Sequence, residues 1–377
     1  MEEIPGHPLQ MRDAQGAGRA DSLDSGTALS ALQTAFAQAV NAYPDRLRES
    51  YYTFAGHSVR IRIVGLKLAE HLARPLTHLE TDRLNSTAAH LTIDLWDEEE
   101  TGIPCPVPST YNDLSSRWTV GDGFFTGSPD GRFVVYQLQQ AMTWLDRKNQ
   151  HVIGWTASGR QLSLYERGKP LHKLLSVWYD DRDVRVIHAG LVSRNGQGVL
   201  FAGMGGSGKS TSALACLHAG FDYLGDDYIG LQALAEGSFV GHSLYNSTWF
   251  EPDHMKCFPL LPPHAIRGNH PWEDKFLILL SDVFPDRLAR TASIRVLALP
   301  RIINASRSLT RPASKGEALL RLAPSSLLAL APRPGARALE RLAKLVEHVP
   351  SYWLELGRDL SEIPERVQEL LAEATCS

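Results

Sequence analysis

Residues 203–210, with the sequence Gly-Met-Gly-Gly-Ser-Gly-Lys-Ser, match the pattern G-x-x-x-x-G-K-[S/T]. Glycines lack a Cβ, so backbone N–H groups can converge on phosphate oxygens, and the N-terminus of a following helix adds partial positive charge. In this pattern Lys209 neutralises the β- and γ-phosphates of a nucleotide, and the Ser210 hydroxyl is a ligand of Mg²⁺. The residues predicted to bind ATP are Gly203, Gly205, Gly206, Ser207, Gly208, Lys209, Ser210 and Thr211.

Two adjacent carboxylates, Asp226 and Asp227, follow a short apolar strand that begins at Tyr223. Only one helix and one turn fit between Lys209 and this strand, and Gly220 suits the end of that helix. The two acids therefore return beside the predicted phosphate site. Phosphoryl transfer needs one carboxylate near Mg²⁺ and a second group that accepts a proton from the attacking hydroxyl. The alternative is that the pair merely begins a turn, as Asp often does.

The phosphate-binding pattern requires a strand before it and a helix after it, and the sequence predicts both. Residues 184–192 and 199–202 are strand-like, and Asn195-Gly196 between them is typical of a tight hairpin turn. A helix is predicted over 209–219. Further strands (276–280, 294–299) and helices (316–330, 336–349, 361–374) complete a predicted α/β domain over residues 181–377.

The region before this domain has no motif that indicates chemistry. Residues 1–27 are polar and without apolar periodicity, which predicts a disordered leader. A helix over 27–40, strands at 58–64, 90–96 and 131–136, and a bridging helix over 169–178 predict an α+β domain over residues 28–180. We expect this first domain to select the substrate. The predicted fold class is thus α/β in the second domain, preceded by an α+β domain.

Composition limits the classes of protein to which this chain can belong. With 377 residues, 38 Lys and Arg against 42 Asp and Glu, and 43% hydrophobic residues, the chain is typical of a two-domain globular protein without a large basic field. The arginines of 333–344 favour a solvated helix face over a nucleic-acid patch. We therefore expect no nucleic acid and no membrane among its partners, a cytoplasmic location, and free thiols at the four scattered cysteines.

Three stretches together resemble the catalytic core of the bacterial HPr serine kinase/phosphorylase family, whose members share a P-loop fold with phosphoenolpyruvate carboxykinases. They are Ile187-His188-Ala189-Gly190-Leu191-Val192, residues 198–203 leading into the phosphate-binding pattern, and Gly220-Phe221 through Asp226-Asp227. The resemblance implies a kinase domain of that type and ATP-dependent phosphorylation of a hydroxyl group. It implies that Asp226 is the acid/base residue, that Asp227 is the acid near the metal, and that His188 supports the Asp, although the division between the two acids stays open. It also allows a homo-oligomer.

Among relatives of that family, the chain more closely resembles divergent bacterial HPr-kinase-related proteins, some of which are similar to tailoring kinases of peptide natural products. The predicted acceptor is therefore a serine of a peptide or protein, or the hydroxyl of a small molecule. Two alternatives remain: a P-loop ATPase or nucleotide switch without an acceptor hydroxyl, and a nucleotide-binding scaffold that has lost catalysis. The last is weakened because Lys209, Ser210, Asp226 and Asp227 are all present.

Overall fold

A computed structural model describes residues 24–82, 89–107, 116–120, 123–252, 254–268, 274–328 and 336–376. Within these ranges the chain forms two large mixed sheets covered by helices. Strands from the earlier part of the chain form the first sheet, and strands from the later part form the second. The mixed α/β character predicted from the sequence is therefore observed.

The first sheet has nine strands in the described residues, in the order β3-β1-β2-β4-β9-β8-β7-β6-β5. Neighbours β2, β4 and β9 are parallel, and the other pairs are antiparallel. The strands are β1 (Leu47–Phe54), β2 (His57–Val64), β3 (Glu80–Thr81), β4 (Leu91–Asp97), β5 (Ser116–Val120), β6 (Gly123–Gly127), β7 (Phe133–Gln137), β8 (Ala141–Asp146) and β9 (His151–Thr156).

Helices cover both faces of this sheet. Helix α1 begins at the N-cap Asp24, which accepts hydrogen bonds from two backbone amides, and it buries Leu29, Leu32 and Phe36 at helical spacing. The predicted helix over 27–40 is thus confirmed, while residues 1–23 of the predicted leader lie outside the described part of the chain. The helices of this half are α1 (Ser25–Ala42), α2 (Leu66–Ala73), α3 (Glu98–Thr101), α4 (Leu164–Gly168) and α5 (His172–Asp180).

A buried carboxylate, Asp94 on β4, links side chains of the two neighbouring strands of the first sheet. Arg62 on β2 donates from Nε to Asp94 Oδ1 at 2.7 Å, and His151 Nε2 lies 2.9 Å from Asp94 Oδ2. Burial by itself raises the pKa of Asp94, but the bonds from His151 and Arg62 outweigh it and lower that pKa. The ionised carboxylate therefore stabilises the pairing of β2, β4 and β9.

The second sheet runs β10-β14-β15-β18-β12-β11-β13, with β20 beside β18 and β19 beside β20. Strands β12, β18 and β20 are parallel, and β13 runs in the same direction as β12 because both are antiparallel to β11. Their carboxyl ends therefore share one edge, where α/β proteins bind ligands. The strands are β10 (Val184–His188), β11 (Gly190–Arg194), β12 (Gln197–Phe201), β13 (Asp222–Gly225), β14 (Tyr228–Ala233), β15 (Phe239–Ser243), β16 (Ser247–Phe250), β17 (Phe276–Leu279), β18 (Thr291–Ile302), β19 (Leu309–Pro312) and β20 (Ser351–Leu356).

Two pairs of helices sandwich the second sheet. Alternate residues of β18 face opposite sides: Val296 packs with the core under α6 and α9, and Leu297 with the core under α7 and α8. The short ribbon of β16 and β17 stands apart from this sheet. The helices are α6 (Lys209–His218), α7 (Lys315–Leu328), α8 (Ala336–His348) and α9 (Glu362–Cys376).

The predicted elements around the phosphate-binding pattern are confirmed, with two corrections. The Asn195-Gly196 hairpin joins β11 to β12, and both residues have the positive φ that such a turn needs. The strand predicted over 184–192 is two strands, since the chain leaves β14 after His188 and pairs with β12 from Gly190. The helix predicted over 169–178 begins later, at His172, because the α conformation is disfavoured for a residue before proline, and Lys169, which precedes Pro170, has φ −139° and ψ 65°.

The two sheets are joined by a shared core and by polar contacts. Val184 and Val186 of β10 pack in the same cluster as the strands of the first sheet. Asn246 Nδ2 donates to the carbonyl of Arg74 at 3.0 Å, and His78 Nε2 lies 2.7 Å from Ser243 Oγ. The boundaries predicted at residues 28, 180 and 181 stay a prediction. No helix in the described ranges is long and apolar enough to cross a membrane.

Candidate active site

The predicted phosphate-binding loop connects the carboxyl end of β12 to the first turn of α6. Gly206 and Gly208 have φ of 75° and 103°, values that side chains with a Cβ rarely adopt. A Cβ on Gly208 would lie 2.3 Å from Leu356 Cδ1, and a Cβ on Gly203 would lie 2.5 Å from Ser207 Oγ. The loop therefore needs glycine at Gly208 for both conformation and space.

The outer part of the loop is open. A Cβ built on Gly205 or Gly206 meets no atom within 4 Å, and both residues are exposed. The Ser207 hydroxyl, in contrast, is buried and has no hydrogen-bond partner among the described residues. An open backbone loop with an unsatisfied buried hydroxyl beneath it fits a ligand rich in acceptor oxygens, such as a polyphosphate.

Lys209 is buried at the floor of this loop. Its ammonium donates to the carbonyl oxygens of Gly203 and Met204, at 2.9 and 3.2 Å. Burial lowers the pKa of Lys209, and the charges of Asp226 and Asp227 act in the opposite direction. Through these two hydrogen bonds the side chain is folded back onto the phosphate-binding loop.

Asp226 follows β13 and is almost fully buried, at 2% exposure. Thr248 Oγ1 donates to its Oδ2 at 2.7 Å, Tyr223 donates to its Oδ1 at 2.9 Å, and the Ser210 side chain lies beside it. Burial, followed by repulsion from Asp227, raises the pKa of Asp226. Ser210 and Asp226 thus form an oxygen-rich pair at the first turn of α6.

Asp227 points to different partners. His188 Nε2 lies 2.7 Å from its Oδ1, and the Lys169 ammonium forms an ion pair with its Oδ2. Burial alone raises the pKa of Asp227, but Lys169 and His188 outweigh it, so that the pKa lies well below its usual range. The backbone N–H of His188 donates to Ser326 Oγ of α7 at 3.2 Å, which anchors the histidine at the end of β10.

The structure brings together all the residues that the sequence predicts to act. The loop, Lys209, Ser210, Asp226, Asp227 and His188 meet at one edge of the second sheet, and Thr211 is half-buried on the first turn of α6. The resemblance implied Asp227 for the metal position and left the division between the acids open, whereas in the structure it is Asp226 that lies beside Ser210.

The sequence patterns did not predict three residues of the site. Lys169 and Thr248 are distant in sequence from the Asp pair and carry no motif, so nothing in the chain indicated them. Tyr223 was noted only as the start of a strand, and the structure shows its hydroxyl donating to Asp226, which follows the other end of that strand. The aromatic rings of Tyr165, Tyr228 and Trp249 also surround Lys169.

Magnesium would fit the Ser210–Asp226 pair. The described residues contain no group of three His, Cys, Asp or Glu that could hold a metal by themselves. Mg²⁺ commonly takes one or two carboxylates, waters and substrate phosphates rather than a cage made by protein alone. A hydroxyl and a carboxylate beside a phosphate loop are therefore the donor set that a Mg²⁺–nucleotide complex needs.

By their sequence positions, which follow or flank predicted strands, Glu273, Lys275, Arg301 and Arg311 could reach phosphate or metal, but surface ion pairs explain such residues equally well. Arg301 and Arg311 both form ion pairs with Glu355, and Lys275 forms one with Glu251. His242 Nε2 lies 2.9 Å from Gln232 Oε1, so it is paired within the sheet. Glu273 lies outside the described residues. Cys105, Cys216 and Cys257 are free thiols.

Comparison with known proteins adds little to this geometry. No family model matches the chain, and no curated protein matches it. Among solved structures, the chain is similar to the HPr(Ser) kinase/phosphatase from Coxiella burnetii, with 15% sequence identity and a TM-score of 0.28, over 51% of this chain and 97% of that one. A TM-score this low establishes no relationship, so function has to be inferred from the residues of the site.

Proposed function

We propose that this chain is a Mg²⁺-assisted, ATP-dependent kinase that transfers the γ-phosphoryl group to a hydroxyl. The observation that carries the proposal is the separation of the Asp pair: Asp226 lies beside Ser210 and accepts hydrogen bonds from Thr248 and Tyr223, whereas Asp227 Oδ1 lies 2.7 Å from His188 Nε2. Asp226 therefore lies at the metal position beside the loop, and Asp227 lies beside a histidine. An enzyme that only hydrolyses ATP needs to position a water, whereas two acids with separate partners suit a metal and an acceptor hydroxyl.

We assign the roles of the acids in the order opposite to the one implied by the resemblance. Asp226, with Ser210, would hold Mg²⁺, which when bound neutralises charge on the phosphate oxygens. Asp227, which Lys169 and His188 keep ionised, would accept a hydrogen bond from the acceptor hydroxyl and take its proton only as the new O–P bond forms, when that proton has become strongly acidic. A carboxylate has about four lone-pair positions, so the bonds to His188 and Lys169 leave it able to accept another proton donor.

The reaction then follows from the positions of these groups. The acceptor oxygen attacks the γ-phosphorus while its hydrogen is directed at Asp227, and the carboxylate takes the proton as the new O–P bond forms. The bond between that phosphorus and the oxygen shared with the β-phosphate breaks, and ADP leaves with the electron pair. Lys209 and the backbone of residues 203–208 stabilise the charge on the phosphate oxygens. The acceptor is a serine of a peptide or protein, or a small-molecule hydroxyl.

The test is transfer of label from γ-labelled ATP with Mg²⁺ to pooled serine-containing peptides and to small hydroxyl compounds. Asp227→Asn should abolish transfer with little change in ATP affinity, and Asp226→Asn should raise the Mg²⁺ concentration required. Lys67→Met, which breaks a surface ion pair with Glu70, is the control and should act like the unsubstituted protein. Phosphate release that no acceptor captures, at the same rate in Asp227→Asn, would instead indicate an ATPase or nucleotide switch.

A further inference from the structure

Lys169 lies on the segment that connects the two sheets, and the second half of the molecule holds its backbone on both sides. Ser247 Oγ donates to the carbonyl of Gly168 at 2.6 Å, and the Tyr245 hydroxyl donates to the carbonyl of Pro170 at 3.0 Å. Both donors lie at or just before β16. The two carbonyl groups that flank Lys169 are therefore bonded to a single short stretch of chain.

The side chain of Lys169 is buried, with 5% of its surface exposed. Its ammonium lies 4.7 Å from the ring centre of Tyr228 and 5.1 Å from those of Tyr165 and Trp249. These three rings form an aromatic cage. Buried ammonium groups need a charged partner, and aromatic faces add cation–π attraction. The Asp227 carboxylate supplies that partner within the cage.

The approach of this segment to the cage depends on glycine. A Cβ on Gly168 would lie 2.8 Å from Trp249 Cζ2 and 2.9 Å from Leu277 Cδ1, closer than such contacts allow. A larger residue would push the segment away from β16 and β17. The buried ring of His172 packs on Tyr228 with 4.0 Å between ring centres, which supports the cage from behind.

We propose that Lys169 is a positioning residue for phosphoryl transfer: its ammonium fixes the Asp227 carboxylate beside His188, so that the segment joining the two sheets completes the active site. This inference rests on the kinase function proposed above. Lys169 does not need to touch either substrate. It acts through Asp227, one oxygen of which it binds while His188 lies against the other.

The experiment compares Lys169→Met, whose unbranched side chain is one atom shorter and has no charge, with Lys169→Arg, which keeps the charge. With γ-labelled ATP and the acceptor found by labelling, Lys169→Met should lower kcat at least about tenfold, since small misplacements of a reacting group cost that much or more. Its KM for ATP should stay within about twofold, because the loop is not altered. Lys169→Arg should recover most of kcat.

A second variant moves Lys169 without changing it. Gly168→Ala should lower kcat in the same way, because the added Cβ displaces the segment from Trp249. Lys67→Met serves again as the matched control for loss of a lysine. Unchanged kcat in Lys169→Met, an increase in KM for ATP with kcat unchanged, or equal losses in the Met and Arg variants would each overturn the positioning role.

The proposal can fail separately from the kinase function. If the unsubstituted protein binds ATP but transfers no label to any acceptor, the proposed function is wrong, and with it the role of Lys169 in transfer. A crystal structure of Lys169→Met then still decides the structural half of the inference. An Asp227 carboxylate that keeps its contact with His188 in that variant would show that Lys169 does not position it.

Discussion

Replacement of Thr248 by Val tests whether Asp226 is held as a buried carboxylate by neutral donors. Thr248 is fully buried, and its Oγ1 donates to Asp226 Oδ2 at 2.7 Å. Valine has nearly the same shape, so the substitution removes the donor and leaves little cavity. A hydrogen bond to a charged group contributes about 1.5–3 kcal/mol, against about 0.5–1.5 kcal/mol for a neutral pair. We therefore expect the free energy of unfolding to fall by about 2 kcal/mol at neutral pH.

The measurement is urea denaturation followed by intrinsic fluorescence, with Thr92→Val as the control. Thr92 is a half-buried threonine on β4 of the first sheet, so its replacement removes a hydroxyl away from the Asp pair. The midpoint should fall for Thr248→Val with an unchanged slope, and little for Thr92→Val. A loss below about 0.5 kcal/mol in Thr248→Val would refute the view that this hydroxyl compensates a buried charge.

Three further outcomes follow from the geometry. Gly208→Ala should abolish binding of ATP measured by calorimetry, because φ is 103° at this position and the new Cβ would lie 2.3 Å from Leu356 Cδ1. An affinity for ATP within about threefold of that of the unsubstituted protein would contradict this. Asp94→Asn should reduce the free energy of unfolding at pH 7, and the loss should become smaller as the pH falls below about 4. The pKa of Asp94 is lowered in the folded protein, so its ionised form stabilises the fold above the unfolded pKa near about 3.9, and this stabilisation is lost in acid. A loss that does not change with pH in urea titrations would count against the ion pair. Trp178→Ala should cost about 3–5 kcal/mol, since the ring is fully buried in the core shared by both sheets, and retention of the thermal midpoint would be inconsistent with that core.

Local sequence was sufficient for much of the fold around the site. The Asn195-Gly196 turn, the glycine loop and the helix beginning at Lys209 depend on backbone conformations that neighbouring residues impose, so their order could be predicted and is confirmed. The strand predicted over 184–192 failed as a single element. Apolar residues recur along the whole stretch, and periodicity cannot reveal that the chain changes sheet neighbours after His188.

The sequence by itself determined which residues have the chemistry for phosphoryl transfer, because a glycine loop, a lysine, a hydroxyl and two acids at this spacing are set by types and local order. Tertiary structure decided how the two acids differ. Thr248 and Ser210 converge on Asp226, while Lys169 and His188 converge on Asp227, from segments far apart along the chain. Adjacent residues after a strand point in different directions, and only the packing of the two sheets determines what each side chain meets there.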